Sequence, residues 1–396
     1  MADSAYRVLT LNSISSVGLK RFPAGHYVVG SHVENPDAIL VRSHDMHAME
    51  IPGSVKTIGR AGAGVNNIPV EKMSKHGAPV FNAPGANANA VKELVIAGML
   101  IASRNLVPAL RFVHGLKGDD KTLNKLVEDG KKHFAGSELP RHTLGVIGLG
   151  KIGSLVADAA IKLGMNVLGY DPEITVDAAW SLPSQVKKAH SIEEVLKAAD
   201  FVTVHVPLLK ETRNMIDAGR IKLMKSGAIL LNIAREGIVD DAAVLNALET
   251  KRLRYYVSDF PAQKLIGHPQ VIVLPHLGAS TREAEDNCAV MVVDQVRDFL
   301  EHGNILNAVN FPDVTMAREA PYRVAIANAN VPNMVGQIST AMAKAGLNIH
   351  NMINKSKGEM AYTLVDVDSK VPAKVVEQIG RIGGVLSVRY LPAEHQ

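Results

Sequence analysis

Two side chains stand where strand-like runs end, Arg235 after AILLNIA and His276 after VIVLP. An arginine there would bind a carboxylate, and a histidine there would take a proton from a hydroxyl. A third feature supplies a partner for such chemistry. GVIGLGKIG (145–153) sets Gly148-x-Gly150-x-x-Gly153 between an apolar run and a helical one. Gly148 would permit the tight turn, Gly150 the approach of backbone to a pyrophosphate, and Gly153 close packing of helix on strand. Lys151 and Ile152 open that helix, whose first amides offer hydrogen bonds and positive potential to phosphates. Asp171 lies 18 positions beyond Gly153, near the spacing at which an acidic residue accepts from both ribose hydroxyls. It would also repel a 2′-phosphate, and no Arg or Lys follows in DPEIT, so the pattern favours NAD over NADP. A cation, a proton acceptor and a dinucleotide together describe redox chemistry on a hydroxy acid.

The elements that must position these groups follow from patterning. Near-continuous apolar runs at 6–11, 37–42, 55–62, 78–83, 143–149, 165–171, 200–206, 227–233, 255–260 and 271–275 read as strands buried on both faces. They alternate with helical stretches, which predicts an α/β protein with two Rossmann-like parallel-sheet domains. Ser280 and Glu283 have capping-box spacing and predict a helix start. After residue 310 the pattern changes. FPDVTMAREAP (311–321) reads as a linker, and 322–396 reads as a separate β-α-β-β-α-β domain of ferredoxin-like type. The expected division is a substrate-binding domain (1–98 with 283–310), a cofactor domain (99–282), the linker and the tail domain. A cleft between the first two would close over cofactor and substrate, excluding water.

Composition narrows the partners. The 396 residues are 47% hydrophobic and 21% charged, with net charge +4 and no basic block, so a small anionic substrate is expected rather than nucleic acid. One cysteine, Cys288, excludes an intramolecular disulfide and fits a reducing compartment. The N-terminus has no secretory pattern, and the most apolar helix (90–103) is too short for a bilayer, so no membrane is expected and cytoplasm is the expected location.

HVPLLKETRNMI (205–216), NIAREGIVDDAAVLNALE (232–249) and PHLGASTREAE (275–285) resemble the D-isomer-specific 2-hydroxyacid dehydrogenases. RAGAGVNNI (60–68) and NAPGANANAVKEL (82–94) bring the likeness nearest to members that oxidise 3-phospho-D-glycerate on the way to serine. The resemblance implies that Arg235 binds the substrate carboxylate and that His276 takes the hydroxyl proton. It places Asp259 on the nicotinamide amide, and His205, Pro207, Thr212, Ala234 and Gly278 around the cofactor. The amides of Gly62, Ala63 and Gly64 would hold the carboxylate, and Arg42 and Arg60 the phosphate. The bland alternatives are a surface cation at Arg235 and, for Arg42, a helix cap or a pair with Asp45. Lys131 and Lys132 lie near where a neighbouring subunit adds a basic group, and a homodimer or homotetramer is implied. The tail resembles an ACT domain, in which Asn328, Asn330 and Asn348 match positions that contact L-serine between two copies. Asn333 replaces the usual glycine of that loop, which narrows the approach of a ligand, and a dimerisation module without ligand stands as the alternative.

One position departs from the family. A glutamate about five residues after the aspartate commonly pairs with the histidine, and here Lys264 stands there. FPAQKLIGHPQ has no acidic residue at all. The lysine is expected to point away, with Gln263 or a loop carbonyl orienting His276. A carboxylate from elsewhere, or an NAD-responsive protein with weak turnover, are the other accounts. A dehydrogenase for lactate, glycerate or glyoxylate is the enzymatic alternative.

Overall fold

Runs rich in β-branched and aliphatic residues become strands where both faces are covered, as in Ala38–Val41, every residue of which is buried. The computed structural model describes residues 5–393. The first four residues of the expected substrate domain and the last three of the tail lie outside it. The chain divides into two compact units, one running to Ala86 and resuming at Glu285, the other Asn87–Ala284. The expected boundary at 98/99 falls earlier, because the helix Ala88–Ser103 packs on the second unit's sheet. A Cβ at its Gly98 would lie 2.9 Å from Val257, so glycine sets that close approach.

The first unit carries β1 (Tyr6–Leu11), β2 (Tyr27–Gly30), β3 (Ala38–Val41), β4 (Thr57–Arg60) and β5 (Val80–Phe81). They form a parallel sheet in the order β2-β1-β3-β4-β5. The second unit carries β6 (Thr143–Ile147), β7 (Asn166–Tyr170), β8 (Val186–Lys188), β9 (Phe201–Val204), β10 (Ala228–Asn232), β11 (Leu253–Ser258) and β12 (Val271–Val273). Their parallel order is β12-β11-β10-β9-β6-β7-β8. The order reverses between β6 and β9, the position where doubly wound sheets bind ligands outside the strands' carboxyl ends. All ten expected strands form. β2 and β8 were not expected; both are short edge strands, so neither has the long apolar run that marks a central strand.

The long helix Arg282–His302 returns to the first sheet. Its cap is Thr281 rather than Ser280, since the Ala284 amide donates to the Thr281 hydroxyl at 3.1 Å. The Ser280 amide instead closes a turn onto the Leu277 carbonyl. Gly59 in β4 admits this helix, because a Cβ there would lie 2.7 Å from Val292 and 2.9 Å from Val296.

The tail forms β13 (Tyr322–Ala329), β14 (Ile349–Lys357), β15 (Met360–Val367) and β16 (Val385–Pro392), in antiparallel order β14-β15-β13-β16. With helices Met334–Lys344 and Ala373–Gly380 this is the expected β-α-β-β-α-β unit. It is not separate, however, and 311–321 is not a free linker. Phe311, Val314, Met316 and Ala320 are buried, and Ile305 bridges Val314. Arg323 and Asp366, both fully buried, form a two-pronged ion pair at 2.6 and 2.8 Å. The same guanidinium donates to the carbonyls of His302, Met316 and Ala317. Arg389 donates to the carbonyls of Phe299 and Leu300 and lies over the Phe299 ring. Polar side chains thus fasten the tail sheet to the end of the long helix, a device that apolar patterning does not register.

Candidate active site

Six of the sequence-chosen groups of the second unit follow six strands at one edge of its sheet. Gly148 follows β6, Asp171 β7, His205 β9, Arg235 β10, Asp259 β11 and His276 β12. The three glycines differ in their reasons. Gly148 has φ 92°, and a Cβ there would lie 2.6 Å from the His205 carbonyl oxygen. A Cβ on Gly153 would run into the Gly148 carbonyl oxygen. At Gly150 a Cβ would meet no protein atom within 4 Å, so neither packing nor φ accounts for this glycine. An open backbone at the start of the helix Lys151–Lys162, whose amino end no side chain caps, fits a pyrophosphate. Asp171 is tied to the same turn: its carboxylate accepts from the amides of Leu149 (2.8 Å) and Glu173 (2.9 Å). The residues present therefore fit a dinucleotide.

His205 is packed beneath this turn, with its amide donating to the Ile147 carbonyl and its Nε2 2.9 Å from the Thr203 hydroxyl. Burial pushes its imidazole down to about 4, so the ring is neutral at pH 7. Its Nδ1 is buried without a partner among the described residues. Thr212 closes the adjoining loop by donating to the Pro207 carbonyl and accepting from the Leu209 amide.

Arg235 is exposed, and the turn that carries it is stapled from inside. Asn232, 2% exposed, donates to the Arg235 carbonyl at 2.9 Å and accepts from the Ala234 amide at 3.2 Å. The guanidinium donates to the Ala234 carbonyl at 2.7 Å, a neutral partner, and has no ion pair among the described residues. In the sequence Asn232 is one residue of NIAREG with no role implied. Its signal was a polar residue ending an otherwise apolar strand.

His276 has φ 57°, the left-handed region that non-glycine residues occupy at a cost. Asp259, 1% exposed, holds it there. Its carbonyl accepts from the His276 amide at 3.1 Å, and its carboxylate from the amides of Leu277 and Gly278, both at 2.7 Å. A Cβ on Gly278 would press on that carboxylate at 3.1 Å. The imidazole makes no hydrogen bond among the described residues, to Gln263 or to any carboxylate. Its side is instead covered by Phe260, with ring centroids 5.1 Å apart and planes at 59°. The Phe260 amide is in turn fixed by the Ser258 hydroxyl at 3.1 Å. Lys264 is turned to another partner, lying 3.6 Å from Asp241. Burial raises the Asp241 carboxyl above its ordinary range, and the lysine pulls it back only in part.

In the first unit Arg42 and Arg60 follow β3 and end β4. Arg42 pairs with Glu285 at 2.7 Å, not with Asp45, and its carbonyl accepts from Arg60 Nε at 3.0 Å. Gly62 makes room for the Arg60 guanidinium, which a Cβ would overlap. Asn82 Nδ2 donates to the Ala63 carbonyl at 2.6 Å, and the Ala83 amide to the Gly62 carbonyl at 2.9 Å, fixing the 62–64 loop.

The three tail asparagines are not together within one chain. Asn328 is fully buried near the carboxyl end of β13, with Oδ1 unpartnered among the described residues. Asn330, just beyond, donates to the Gly358 carbonyl. Asn348 lies at the opposite end of the sheet, donating to Asp368 at 2.6 Å. Asn333 takes φ 63°, so it keeps the backbone shape that a glycine would have.

A parallel sheet of this order, with a glycine turn and an acidic residue at its carboxyl edge, defines a dinucleotide-binding domain of the oxidoreductase kind. Residues 96–278 match the family described as D-isomer specific 2-hydroxyacid dehydrogenase, NAD binding domain. A D-3-phosphoglycerate dehydrogenase of Haemophilus influenzae is 32% identical over 341 residues, which are 83% of this chain and 79% of that protein. The chain belongs to the D-isomer specific 2-hydroxyacid dehydrogenase family. A D-3-phosphoglycerate dehydrogenase of Methanocaldococcus jannaschii is 35% identical over 347 residues, 85% of this chain but 62% of the relative, so this chain spans less than two thirds of that protein. An NAD+-bound 3-phosphoglycerate dehydrogenase of Entamoeba histolytica shares the fold, with TM-score 0.58 and 24% identity over 77% of this chain and 99% of that one.

Proposed function

We propose that the chain is an NAD-dependent dehydrogenase that oxidises 3-phospho-D-glycerate to 3-phosphohydroxypyruvate, the first step toward serine. The observation that carries the reading is the edge formed by β10, β11 and β12. There a guanidinium (Arg235) and an imidazole (His276), neither with a carboxylate partner among the described residues, stand two strands apart, on the sheet that holds the glycine turn. Arg235 would bind the carboxylate and polarise the reacting carbon–oxygen bond, while His276 takes the hydroxyl proton. Bound NAD supplies the hydride acceptor. Its pyrophosphate would lie over Gly150, Lys151 and Ile152, its ribose at Asp171, and its nicotinamide near Asp259 and Ala234. Arg42, Arg60 and the 62–64 amides would hold the substrate's anionic groups, with phosphate displacing Glu285 from Arg42.

NADH consumption with 3-phosphohydroxypyruvate, pyruvate and glyoxylate tests this reading. Turnover of the phosphorylated acid is expected to exceed the others by about 100-fold in kcat/KM, and to fall to their level in Arg60→Ala. Equal turnover of pyruvate or glyoxylate would favour an unphosphorylated substrate. NADH binding without turnover would favour a regulatory protein.

The reading includes a homodimer or homotetramer. Its support is the helix pair Leu106–Gly115 and Asp120–Gly130, neither of which buries a residue in this chain. Leu110 and Val113 are 60% and 55% exposed. Lys131, already paired with Glu128, and Lys132 follow on the next turn. Among the described residues no single helix is long and apolar enough to cross a membrane; one bent pair, Ala88–Ser103 with Leu106–Gly115, passes by length and composition. L-serine would bind where Asn328 and Asn330 of one copy meet Asn348 of another, which the separation of these residues within one chain requires.

A further inference from the structure

Arg42 is already held by a carboxylate of its own chain. Its Nη2 donates to Glu285 Oε1 at 2.7 Å, which joins the residue after β3 to the first turn of the helix Arg282–His302. The helix backbone fixes that carboxylate in place. Cys288 and Val292, three and seven residues further on, are buried in the same core as Leu40 and Phe81. The charges of Arg60, Arg42 and Glu285 all reach the Cys288 thiol, so two cations and one anion meet at this helix start. The Glu285 side chain is 42% exposed, and it can turn to water when another anion takes its place on Arg42.

We propose that Glu285 is a specificity-determining residue, an internal competitor that weakens the hold of Arg42 on the substrate's phosphate. The inference rests on the proposed phosphorylated substrate. A phosphate monoester carries close to two negative charges at neutral pH and three acceptor oxygens, enough to engage both guanidinium groups. With Glu285 on Arg42 the two arginines present one net positive charge rather than two. An acid without a phosphate has no group to place there and is indifferent to Glu285.

The competition has a use. The phosphate is remote from the carbon that is oxidised, so its contacts are shared by substrate, transition state and product. Tightening them lowers KM and slows product release without speeding hydride transfer. A carboxylate waiting beside Arg42 limits that shared affinity and reclaims the guanidinium as product leaves.

Calorimetric titration of the NADH-loaded full chain with 3-phospho-D-glycerate and with D-glycerate tests the role. Both acids and the cofactor are then in their reduced forms, so only binding is read. Glu285→Gln should tighten 3-phospho-D-glycerate about fivefold and leave D-glycerate unchanged. Asp294→Asn removes the same charge from the same helix, at an exposed pair with Arg21, and should move neither. In turnover, KM for the phosphorylated acid should fall by the same factor in Glu285→Gln while kcat does not rise. Circular dichroism verifies that each variant is folded. Unchanged or weaker binding of the phosphorylated acid in Glu285→Gln, or equal tightening of both acids, would overturn the assignment. The two readings fail separately. Phosphoglycerate that binds more tightly to the variant but is never oxidised contradicts the proposed function alone. Phosphoglycerate that is oxidised, with equal affinity in wild type and variant, contradicts this inference alone.

Discussion

Asp259 and Asp366 are both buried carboxylates, 1% and 0% exposed, each bound at both oxygens. Their partners differ in kind. Asp259 accepts from two backbone amides of the loop that carries His276, so its charge is solvated by dipoles and not cancelled. Asp366 meets the guanidinium of Arg323, whose remaining donors go to three carbonyls of the chain leading into the tail. The first arrangement fixes a backbone and leaves the ring beyond it free for substrate. The second closes every donor and fixes two pieces of fold together. A carboxylate held by amides is a positioning device; one held by arginine is a joint.

The largest expected effect is at the joint. Arg323→Met leaves a buried carboxylate without its cation and should cost about 3–5 kcal/mol in denaturant unfolding. Arg323→Met combined with Asp366→Leu should recover much of that loss, since no charge then remains buried. Unchanged stability in the single variant would mean that the tail is not fastened by this pair.

A buried ionisable group with no counter-ion sharpens the contrast. The unfolded chain binds a proton on His205 near 6.5, and the folded ring only near about 4. Stability from this group is therefore complete above pH 6.5 and is lost as pH falls toward 4, by about 3 kcal/mol in all. His205→Asn should flatten that part of the stability–pH curve, and an unaltered slope would count against a neutral buried ring.

At the positioning end the effects are smaller in stability and visible in rate. Asp259→Asn sets an amide NH2 against a backbone N–H and should cost about 1–3 kcal/mol. It should also reduce kcat on the folded fraction. If kcat per folded molecule stays the same, Asp259 is a joint like Asp366 and the contrast fails. The smallest effect is at Phe260. Phe260→Leu removes the ring beside His276, and about a tenfold loss in kcat with KM unchanged is expected. Phe260→Tyr should restore the rate, and a loss confined to KM would assign the ring to substrate binding.

These contrasts explain what could be read from the sequence. The parallel sheets were legible because their strands are buried on both faces, and the glycine turn because its three glycines keep their spacing between a strand and a helix, two of them for steric reasons. The strand-end placement of His276 and Arg235 was legible from the apolar runs that precede them. Phe260 and the Arg323–Asp366 joint were not, because each acts through a partner distant in sequence. Asn232 was not, because its two hydrogen bonds depend on how the short turn after β10 folds. Asp366 lies 43 residues from Arg323, and neither residue belongs to a periodic pattern. The separateness expected of the tail failed for the same reason: FPDVTMAREAP, with Pro312 and Pro321, reads as a linker, while the buried side chains between the prolines show a packed strap. Lys264 was expected to turn away, and its approach to Asp241 supplies the reason. What orients His276 is a backbone clamp and a ring contact, which no count of acidic residues would reveal.

The central claim is that His276 moves the proton although its ring has no carboxylate partner among the described residues. Single-turnover oxidation of NADH by 3-phosphohydroxypyruvate, in the wild type and in His276→Ala, tests it most directly. The account predicts a rate lower by about 10²–10⁴-fold in the variant, with NADH affinity unchanged. A variant that turns over at the wild-type rate would contradict it.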